Sequence, residues 1–163
     1  MEFARQLHAI AAEINHGDGR PVVAENIHLT LVFLGAVTAS FRQCAERVTC
    51  AVRAEPFTLI IQRLGCWPKS GILWSGTEST PQALLNLVQN LNSGLACCGY
   101  APDNRAYAAH LTLARKVHQW QKDYPIEPLS WDVRRFCLAA SPVDVQAARY
   151  KILCTWELAP AAG

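Results

Sequence analysis

The sequence has little net charge and no long apolar run. Its 15 basic and 13 acidic side chains leave a formal net charge of +2 over 163 residues, which by itself is too small to indicate nucleic-acid binding. The apolar stretches are strand-sized or amphipathic, so the sequence predicts no membrane span. Residues 1–6 lack the apolar core of a secretory signal. We therefore expect a cytoplasmic protein.

Motifs that bind metal ions are missing as well. There is no Cys-x-x-Cys, no His-Glu-x-x-His and no pair of histidines three to five residues apart, so we expect neither a metal nor another cofactor. The seven cysteines are an odd number and include the adjacent pair Cys97 and Cys98, which argues against a disulfide framework. We expect most of them to be small buried apolar side chains in a reducing compartment.

What the sequence does contain is one tetrapeptide twice, as His28-Leu29-Thr30-Leu31 and as His110-Leu111-Thr112-Leu113. Each copy lies in an alternating apolar run, residues 27–34 and 109–114, which predicts a β-strand. Side chains alternate between the faces of a strand, so the histidine and threonine of one motif share a face and the leucines point into a core. The simpler interpretation is that each histidine only satisfies a strand edge.

Two such pairs meeting across a cleft suit acid–base chemistry on a phosphate. Histidine imidazoles ordinarily titrate near pH 6.5, so one neutral and one protonated ring can coexist near neutrality. The neutral ring can take a proton from an attacking group while the other protonates a departing oxygen. The hydroxyls of Thr30 and Thr112 can donate to the non-bridging oxygens.

The rest of the sequence alternates between helical and strand-like patterns. Helical spacing predicts helices over residues 2–15, from a cap at Ser40 to before Pro56, and over 81–98 after a cap at Thr80. Apolar runs predict strands over residues 57–64, 72–76, 130–139 and 149–158. We expect a single α+β domain over residues 1–163.

The two halves of the chain match around the motifs. In each half a helix is followed by a loop of similar length and then by a motif strand. The second half has a further strand, residues 72–76, ahead of its helix, and the first half has none. We therefore predict two pseudo-repeated lobes, and we predict that an N-terminal strand is missing from the first.

The paired motifs resemble those of the 2H phosphoesterase superfamily. Residues 19–35 are similar to bacterial RNA 2′,3′-cyclic phosphodiesterases, also called 2′–5′ RNA ligases, and weaker matches lie around residues 72–76 and 110–115. The resemblance implies a duplicated, two-lobed fold in which antiparallel sheets line a central cleft and helices pack outside. It implies metal-independent hydrolysis of RNA 2′,3′-cyclic phosphate ends to 2′-phosphomonoesters, with possible reversal as a 2′–5′ RNA ligase.

Two departures from the family matter. The family usually opens with an apolar strand before its first helix, the element that the comparison of the halves also finds missing. It tends to place prolines around residues 105–109, where this chain has Ala106, Ala108 and Ala109. We expect a looser loop before His110. The expected partner is an RNA or oligonucleotide end, not a membrane, and the expected form is a monomer.

The resemblance also implies roles for single residues. It makes His28 the acid for the 3′ oxygen and His110 the base for water, an order that the residues alone leave open. It implies Arg115 as a fixed positive charge on the phosphate. The odd offset of Arg115 from His110 would point it to the opposite face of a regular strand, unless the strand bulges or ends there.

Aromatic side chains could contact a nucleobase. Tyr107 and Trp67 are the candidates for stacking on a base, with core packing an even alternative for Tyr107, and Trp74 is at least as well explained by core packing. His8, His16 and His118 have no predicted role.

Two other functions stay open. A metal-dependent hydrolase would need clustered histidines or carboxylates, which are sparse near both motifs. A non-catalytic RNA- or nucleotide-binding domain, or an inactive truncated fragment, would not need both imidazoles.

Overall fold

The chain forms an α+β fold with antiparallel sheets, as expected. The computed structural model describes residues 2–15, 18–102, 105–120, 124–141 and 150–159. These residues divide between two compact units. The first unit comprises Met1–Thr30, Leu59–Ser79 and Ala108–Trp131, and the second comprises Leu31–Thr58, Thr80–Tyr107 and Asp132–Gly163.

A five-stranded sheet forms most of the first unit. Its strands are β1 (Arg20–Pro21), β2 (Phe57–Trp67), β3 (Ile72–Gly76), β4 (His110–Arg115) and β5 (Tyr124–Val133), in the order β1-β4-β3-β2-β5. A tight turn joins β2 to β3, where the Gly71 amide donates to the Trp67 carbonyl at 2.9 Å. Gly71 has φ +61°, and a Cβ there would lie 3.0 Å from the Val117 carbonyl oxygen, so this turn requires glycine.

One face of that sheet is buried. Helix α1 (Glu2–Asn15) packs against β1 and β4 and buries Leu7 and Ala11, which are one helical turn apart. Complete burial of a leucine such as Leu7 stabilises the fold by about 1.5–3 kcal/mol. The ring Nδ1 of His8 lies 2.9 Å from the Val22 carbonyl oxygen, so His8, for which no role was predicted, joins α1 to the segment after β1.

The second unit contains a pair of helices and a β-hairpin. Helices α2 (Ala39–Thr49) and α3 (Gln82–Ala96) pack together, and β6 (Arg135–Ala140) pairs with β7 (Lys151–Glu157). The rings of Phe136 and Trp156 stack across the hairpin with centroids 5.5 Å apart. Helix α3 buries a leucine-rich face: Leu84, Leu87, Val88, Leu91 and Leu95. The helical spacing predicted this face with Leu85 in place of Leu87, and Leu85 is only partly buried.

Several boundaries differ from the prediction. Thr38, not Ser40, caps α2, because its Oγ1 accepts the Phe41 amide. Thr80 does not cap α3, which begins at Gln82 after Pro81. The strand predicted over residues 130–139 is two strands in different sheets, which separate at Arg134, whose carbonyl accepts the Leu158 amide. Residue 149, where the last strand was predicted to begin, and His16 lie outside the described residues.

The expectation for the cysteines was wrong. Cys44 of α2 forms a disulfide with Cys98, which follows α3, with Cα atoms 5.8 Å apart. Of the free cysteines only Cys66 is buried. Spacing along the chain gave no sign of this pairing because it depends on how α2 packs on α3.

None of the helices in the described ranges has the length and apolar character needed to cross a membrane. The N-terminal strand predicted to be missing, the duplication and the cytoplasmic location stay predictions.

Candidate active site

A single backbone pairing joins the two motifs. Leu29 forms an antiparallel bridge with Leu111 of β4. In that register His28 lies opposite Thr112, and Thr30 lies opposite His110. Residues directly opposite in an antiparallel pair have Cβ atoms about 4.5–5.5 Å apart. The histidine and threonine of both motifs therefore lie together on one face of the sheet, and all four belong to the first unit.

The first motif is not the regular strand that its alternation predicts. A 3-10 turn (Ala24–Asn26) precedes it, and Leu29 is the residue of the predicted strand 27–34 that takes part in a bridge. An alternating sequence favours extended backbone, but a ladder also requires a neighbouring strand to accept and donate hydrogen bonds. Within the described residues this segment has such a neighbour only at Leu29. The second motif is β4, as predicted.

Both imidazoles are held in the same way. Nδ1 of His28 lies 2.6 Å from the carbonyl oxygen of Asn26, and Nδ1 of His110 lies 2.8 Å from that of Ala108. A carbonyl oxygen only accepts hydrogen bonds, so Nδ1 carries the proton in each ring. Nε2 is then the atom that changes protonation state, accepting a proton when the ring is neutral and donating one when it is cationic.

A β-bulge brings Arg115 onto the same face. Trp74 pairs with Thr112, but its neighbour Leu73 pairs with Ala114, so Leu113 is an extra residue in β4. Leu113 and Ala114 are both buried, and Arg115 is exposed. Register then places Arg115 opposite Ile72, two residues from Trp74, and therefore on the face of Thr112 and His110. The odd offset of Arg115 from His110 would put the two on opposite faces of a regular strand, but the bulge puts them on the same face.

Hydrogen bonds join the turn that follows Arg115 to Asp18, which precedes β1. The Asp18 carboxylate accepts the amides of His118 and Gln119 at 2.7 and 2.6 Å. These bonds, above all that from Gln119, hold the pKa of Asp18 below its ordinary value. Lys116 takes a positive φ of 58° in the same turn.

Gly19 lets the two segments approach closely. It has φ +80°, and a Cβ there would lie 2.7 Å from the Arg115 carbonyl oxygen. A side chain at position 19 would therefore push β1 away from β4. Beyond this contact, Arg20 of β1 lies directly opposite Arg115.

Trp67 contacts the second histidine. Its ring centroid lies 4.7 Å from that of His110, with the planes at 73°, and 5.8 Å from that of Trp74. Gly76, opposite His110, makes room for this cluster: a Cβ there would lie 3.2 Å from Cζ3 of Trp74. Trp74 packs into the cluster with its indole nitrogen buried, in keeping with a packing role.

Tyr107 belongs to the second unit and is half-buried, and burial raises the pKa of its hydroxyl. Its role as a stacking residue stays a prediction. His118 is exposed and takes part through its backbone amide. Around residues 105–109, where the family tends to have proline, Ala106 and Ala108 are exposed.

The potential metal ligands that the structure brings together belong to the second unit. In the described part of the chain, one group of three potential ligands has its donor atoms close together: Cys44, Cys97 and Cys98. Two of them are joined in the disulfide. The two motifs and Arg115 present two imidazoles, two hydroxyls and a guanidinium on one face of the sheet.

Sequence reasoning missed the residues that fix this geometry. The bulge at Leu113 left a weak signal, two consecutive apolar residues before Arg115 where alternation expects one. Gly19 preceding Arg20 was a second signal, because glycine often marks a positive φ or a close approach. Asp18 gave none, since its partners are 100 and 101 residues away.

The chain is similar to known phosphoesterases along most of its length. The family described as LigT like Phosphoesterase matches residues 1–74. The RNA 2′,3′-cyclic phosphodiesterase of Escherichia coli is 34% identical over 142 residues, 86% of this chain and 80% of that protein. The protein of the same name from Thermotoga maritima is 29% identical over 149 residues, 83% and 79% of the two chains. The crystal structure of E. coli LigT complexed with 3′-AMP superposes with a TM-score of 0.85 and 32% identity, covering 98% of this chain and 92% of that one.

Proposed function

Since the chain belongs to the LigT-like phosphoesterase family, we propose that it hydrolyses RNA 2′,3′-cyclic phosphate ends to 2′-phosphomonoesters. The reaction uses His28 and His110 as an acid–base pair and needs no metal ion. The observation that carries this proposal is the reciprocal register around the Leu29–Leu111 bridge, combined with the matching Nδ1 hydrogen bonds of the two rings. The names of the relatives and the nucleotide bound to E. coli LigT support the substrate class.

The reaction consumes one water molecule. Nε2 of neutral His110 takes a proton as the water oxygen attacks phosphorus, and the bond from phosphorus to the 3′ oxygen breaks. Nε2–H of cationic His28 protonates that oxygen as it leaves, so the phosphate remains on the 2′ oxygen. Each proton transfer typically contributes a factor of 10²–10⁴ to the rate. The assignment of His28 as the acid follows the family resemblance.

Three side chains bind the phosphate in this proposal. The hydroxyls of Thr30 and Thr112 donate to the non-bridging oxygens, where negative charge grows in the transition state. The Arg115 guanidinium adds a positive charge that does not titrate in the working pH range. All five residues belong to the first unit of one chain, so the reaction as proposed needs no second copy.

The same groups support ligation, in which an RNA hydroxyl takes the place of water. If the 5′ hydroxyl of a second RNA replaces water and attacks the cyclic phosphate, a 2′–5′ linkage forms and the 3′ hydroxyl is released. Run backwards, His28 takes the proton from the 3′ hydroxyl and His110 protonates the departing 5′ oxygen. We propose this 2′–5′ RNA ligase activity as a secondary one, and Trp67 as a surface for the base.

Product analysis tests the function. We expect an oligoribonucleotide ending in a 2′,3′-cyclic phosphate to yield the 2′-phosphate alone, with an unchanged rate in excess EDTA. His28→Ala and His110→Ala should remove turnover. His118→Ala, which removes an exposed imidazole outside the motifs, should not. The pH–rate profile should be bell-shaped, because one ring must be neutral and the other cationic.

Other outcomes separate the alternatives. Loss of activity in EDTA, restored by a divalent cation, indicates a metal-dependent hydrolase. Binding of the oligonucleotide without turnover indicates a non-catalytic RNA-binding domain. Retained activity in either histidine variant refutes the two-histidine mechanism.

A further inference from the structure

We propose that Arg20 forms, beside Arg115, a second phosphate subsite for the phosphodiester that adjoins the cyclic phosphate. The chain would then act preferentially on oligonucleotide ends rather than on mononucleotides. This inference rests on the proposed function and adds to it a substrate preference and the residue that sets it.

The register of the sheet places Arg20 on the catalytic face. Arg20 lies opposite Arg115, as Thr112 lies opposite His28. Opposite residues on neighbouring strands share a face. Arg20 is exposed, as are Arg115 and His28. The face therefore carries two neighbouring guanidinium groups next to the imidazoles and hydroxyls.

Backbone contacts hold Arg20 and Arg115 directly opposite one another. Like charges directly opposite one another on neighbouring strands destabilise a sheet. Here they are nevertheless held in register by the Gly19 approach to the Arg115 carbonyl oxygen and by the amide of Val22, which donates to the Leu113 carbonyl at 2.8 Å. Phosphate oxygens between or beside the two guanidinium groups would accept charge-assisted hydrogen bonds from both.

The direction of the RNA chain assigns the two arginines different phosphates. His28 protonates the 3′ oxygen in the proposed reaction, so the terminal ribose lies at His28. The 5′ oxygen of that ribose carries the adjoining phosphodiester. Arg20 and His28 lie along the same side of β4, whereas Arg115 belongs to β4 itself, with Thr112 and His110. Arg115 therefore takes the reacting phosphate, and Arg20 takes the adjoining one.

A third exposed arginine on this face, Arg63, provides the comparison. Arg63 of β2 lies opposite Gly76, which in turn lies opposite His110. Strand β3 lies between Arg63 and β4, whereas Leu29 pairs with the opposite edge of β4. If the RNA chain left the site in that direction, Arg63 rather than Arg20 would hold the adjoining phosphate.

The experiment compares two ribodinucleotides that both end in a 2′,3′-cyclic phosphate. One has the natural phosphodiester, and the other has an uncharged methylphosphonate at the same position. The quantity measured is the ratio of their kcat/KM values in the wild-type chain and in Arg20→Ala, Arg20→Lys, Arg63→Ala and Arg5→Ala. Arg5, exposed on α1, is the matched control for removing one positive charge.

We expect the wild-type chain to prefer the charged linkage by about tenfold, the factor that a hydrogen bond to a charged group supplies. Arg20→Ala should reduce the ratio to about one, Arg20→Lys should keep part of it, and the Arg5 and Arg63 variants should leave it unchanged. An unchanged ratio in Arg20→Ala overturns the proposal. If Arg63→Ala, and not Arg20→Ala, reduces the ratio to about one, the proposal is wrong and the RNA chain leaves the site toward Arg63.

The two proposals fail in different ways. If the wild-type chain hydrolyses neither dinucleotide, the proposed function is wrong, and the subsite is then judged by the ratio of the two dissociation constants in the same set of variants. Equal binding of both linkages by the wild-type chain contradicts the subsite in that case as well.

Discussion

Leu29 pairs with Leu111, and this one antiparallel bridge sets each histidine of the two motifs opposite the threonine of the other. If both motifs act on one phosphate as proposed, this pairing is the reason that the tetrapeptide occurs twice. A strand alone places His28 and Thr30 on one face, but an acid and a base on opposite sides of a phosphate require a second strand. Pairing at the central leucines brings all four polar side chains together and keeps the leucines on the other face.

Removing one hydroxyl should cost less than removing one imidazole. We expect Thr30→Val and Thr112→Val, which keep the shape of the side chain, to lower kcat by about 10²-fold, the effect of losing one donor to a developing oxyanion. Thr30→Ser and Thr112→Ser keep the hydroxyl and should retain most activity. Steady-state kinetics on a cyclic-phosphate oligonucleotide measures both. Equal rates in the valine and serine variants would show that the hydroxyls take no part.

Arg115 should raise kcat/KM through the positive charge and the several hydrogen-bond donors of its guanidinium group. We expect Arg115→Ala to lower kcat/KM by about 10–100-fold, the worth of a hydrogen bond to a charged group, and Arg115→Lys to recover part of it. Lys116→Asn is the matched control, because it removes the same charge one residue later and asparagine tolerates the positive φ of that position. A similar loss in both variants would mean that charge near the turn, and not the bulge at Leu113, determines the effect.

The sequence predicted the elements around the site better than the contacts that shape it. β4 and the helices followed from hydrophobic spacing, because burial on one face leaves a periodic pattern. The extended backbone around His28 was right but its regular strand was wrong, since a ladder depends on a partner that no local pattern encodes. The face of the sheet on which Arg115 lies depends on a single inserted residue in β4, Leu113. The Cys44–Cys98 disulfide and the Asp18 bonds join segments far apart in the chain, where spacing carries no signal.

Asp18 should stabilise the chain in a pH-dependent way. The amides of Gln119 and His118 favour its ionised form and lower its pKa in the folded state, so its contribution is present above the ordinary aspartate pKa of about 3.9. That contribution is lost as the pH falls through the folded-state value. We expect Asp18→Asn to lower Tm at pH 7 and the difference from wild type to shrink toward pH 3.

The control for Asp18 is Glu13→Gln, which removes an exposed carboxylate on α1. It should leave Tm nearly unchanged at both pH values. A difference between Asp18→Asn and wild type that stays constant from pH 7 to pH 3 would show that the carboxylate charge is not what holds the turn.

Trp67 should act on His110 as well as on any base. Both histidines hydrogen-bond a carbonyl oxygen through Nδ1, and His110 also contacts the Trp67 indole, with ring centroids 4.7 Å apart. That contact restricts rotation of the His110 ring, so we expect Trp67→Leu to lower kcat more than it raises KM and Trp67→Phe to restore most of the rate. Ring-current shifts of the His110 carbon-bound protons, followed by NMR, should collapse in Trp67→Leu and persist in Trp67→Phe.

A base-stacking role gives a different pattern. If Trp67 only stacks on the nucleobase, its loss raises KM, costs about 1–3 kcal/mol of binding and leaves the His110 resonances in place. Trp131→Phe is the control, because the Trp131 indole stacks on Phe3 at 5.1 Å, outside the histidine cluster. It should change neither kcat nor the His110 signals. A change in KM alone, with unshifted His110 resonances, would contradict positioning by Trp67 and assign the indole to the substrate.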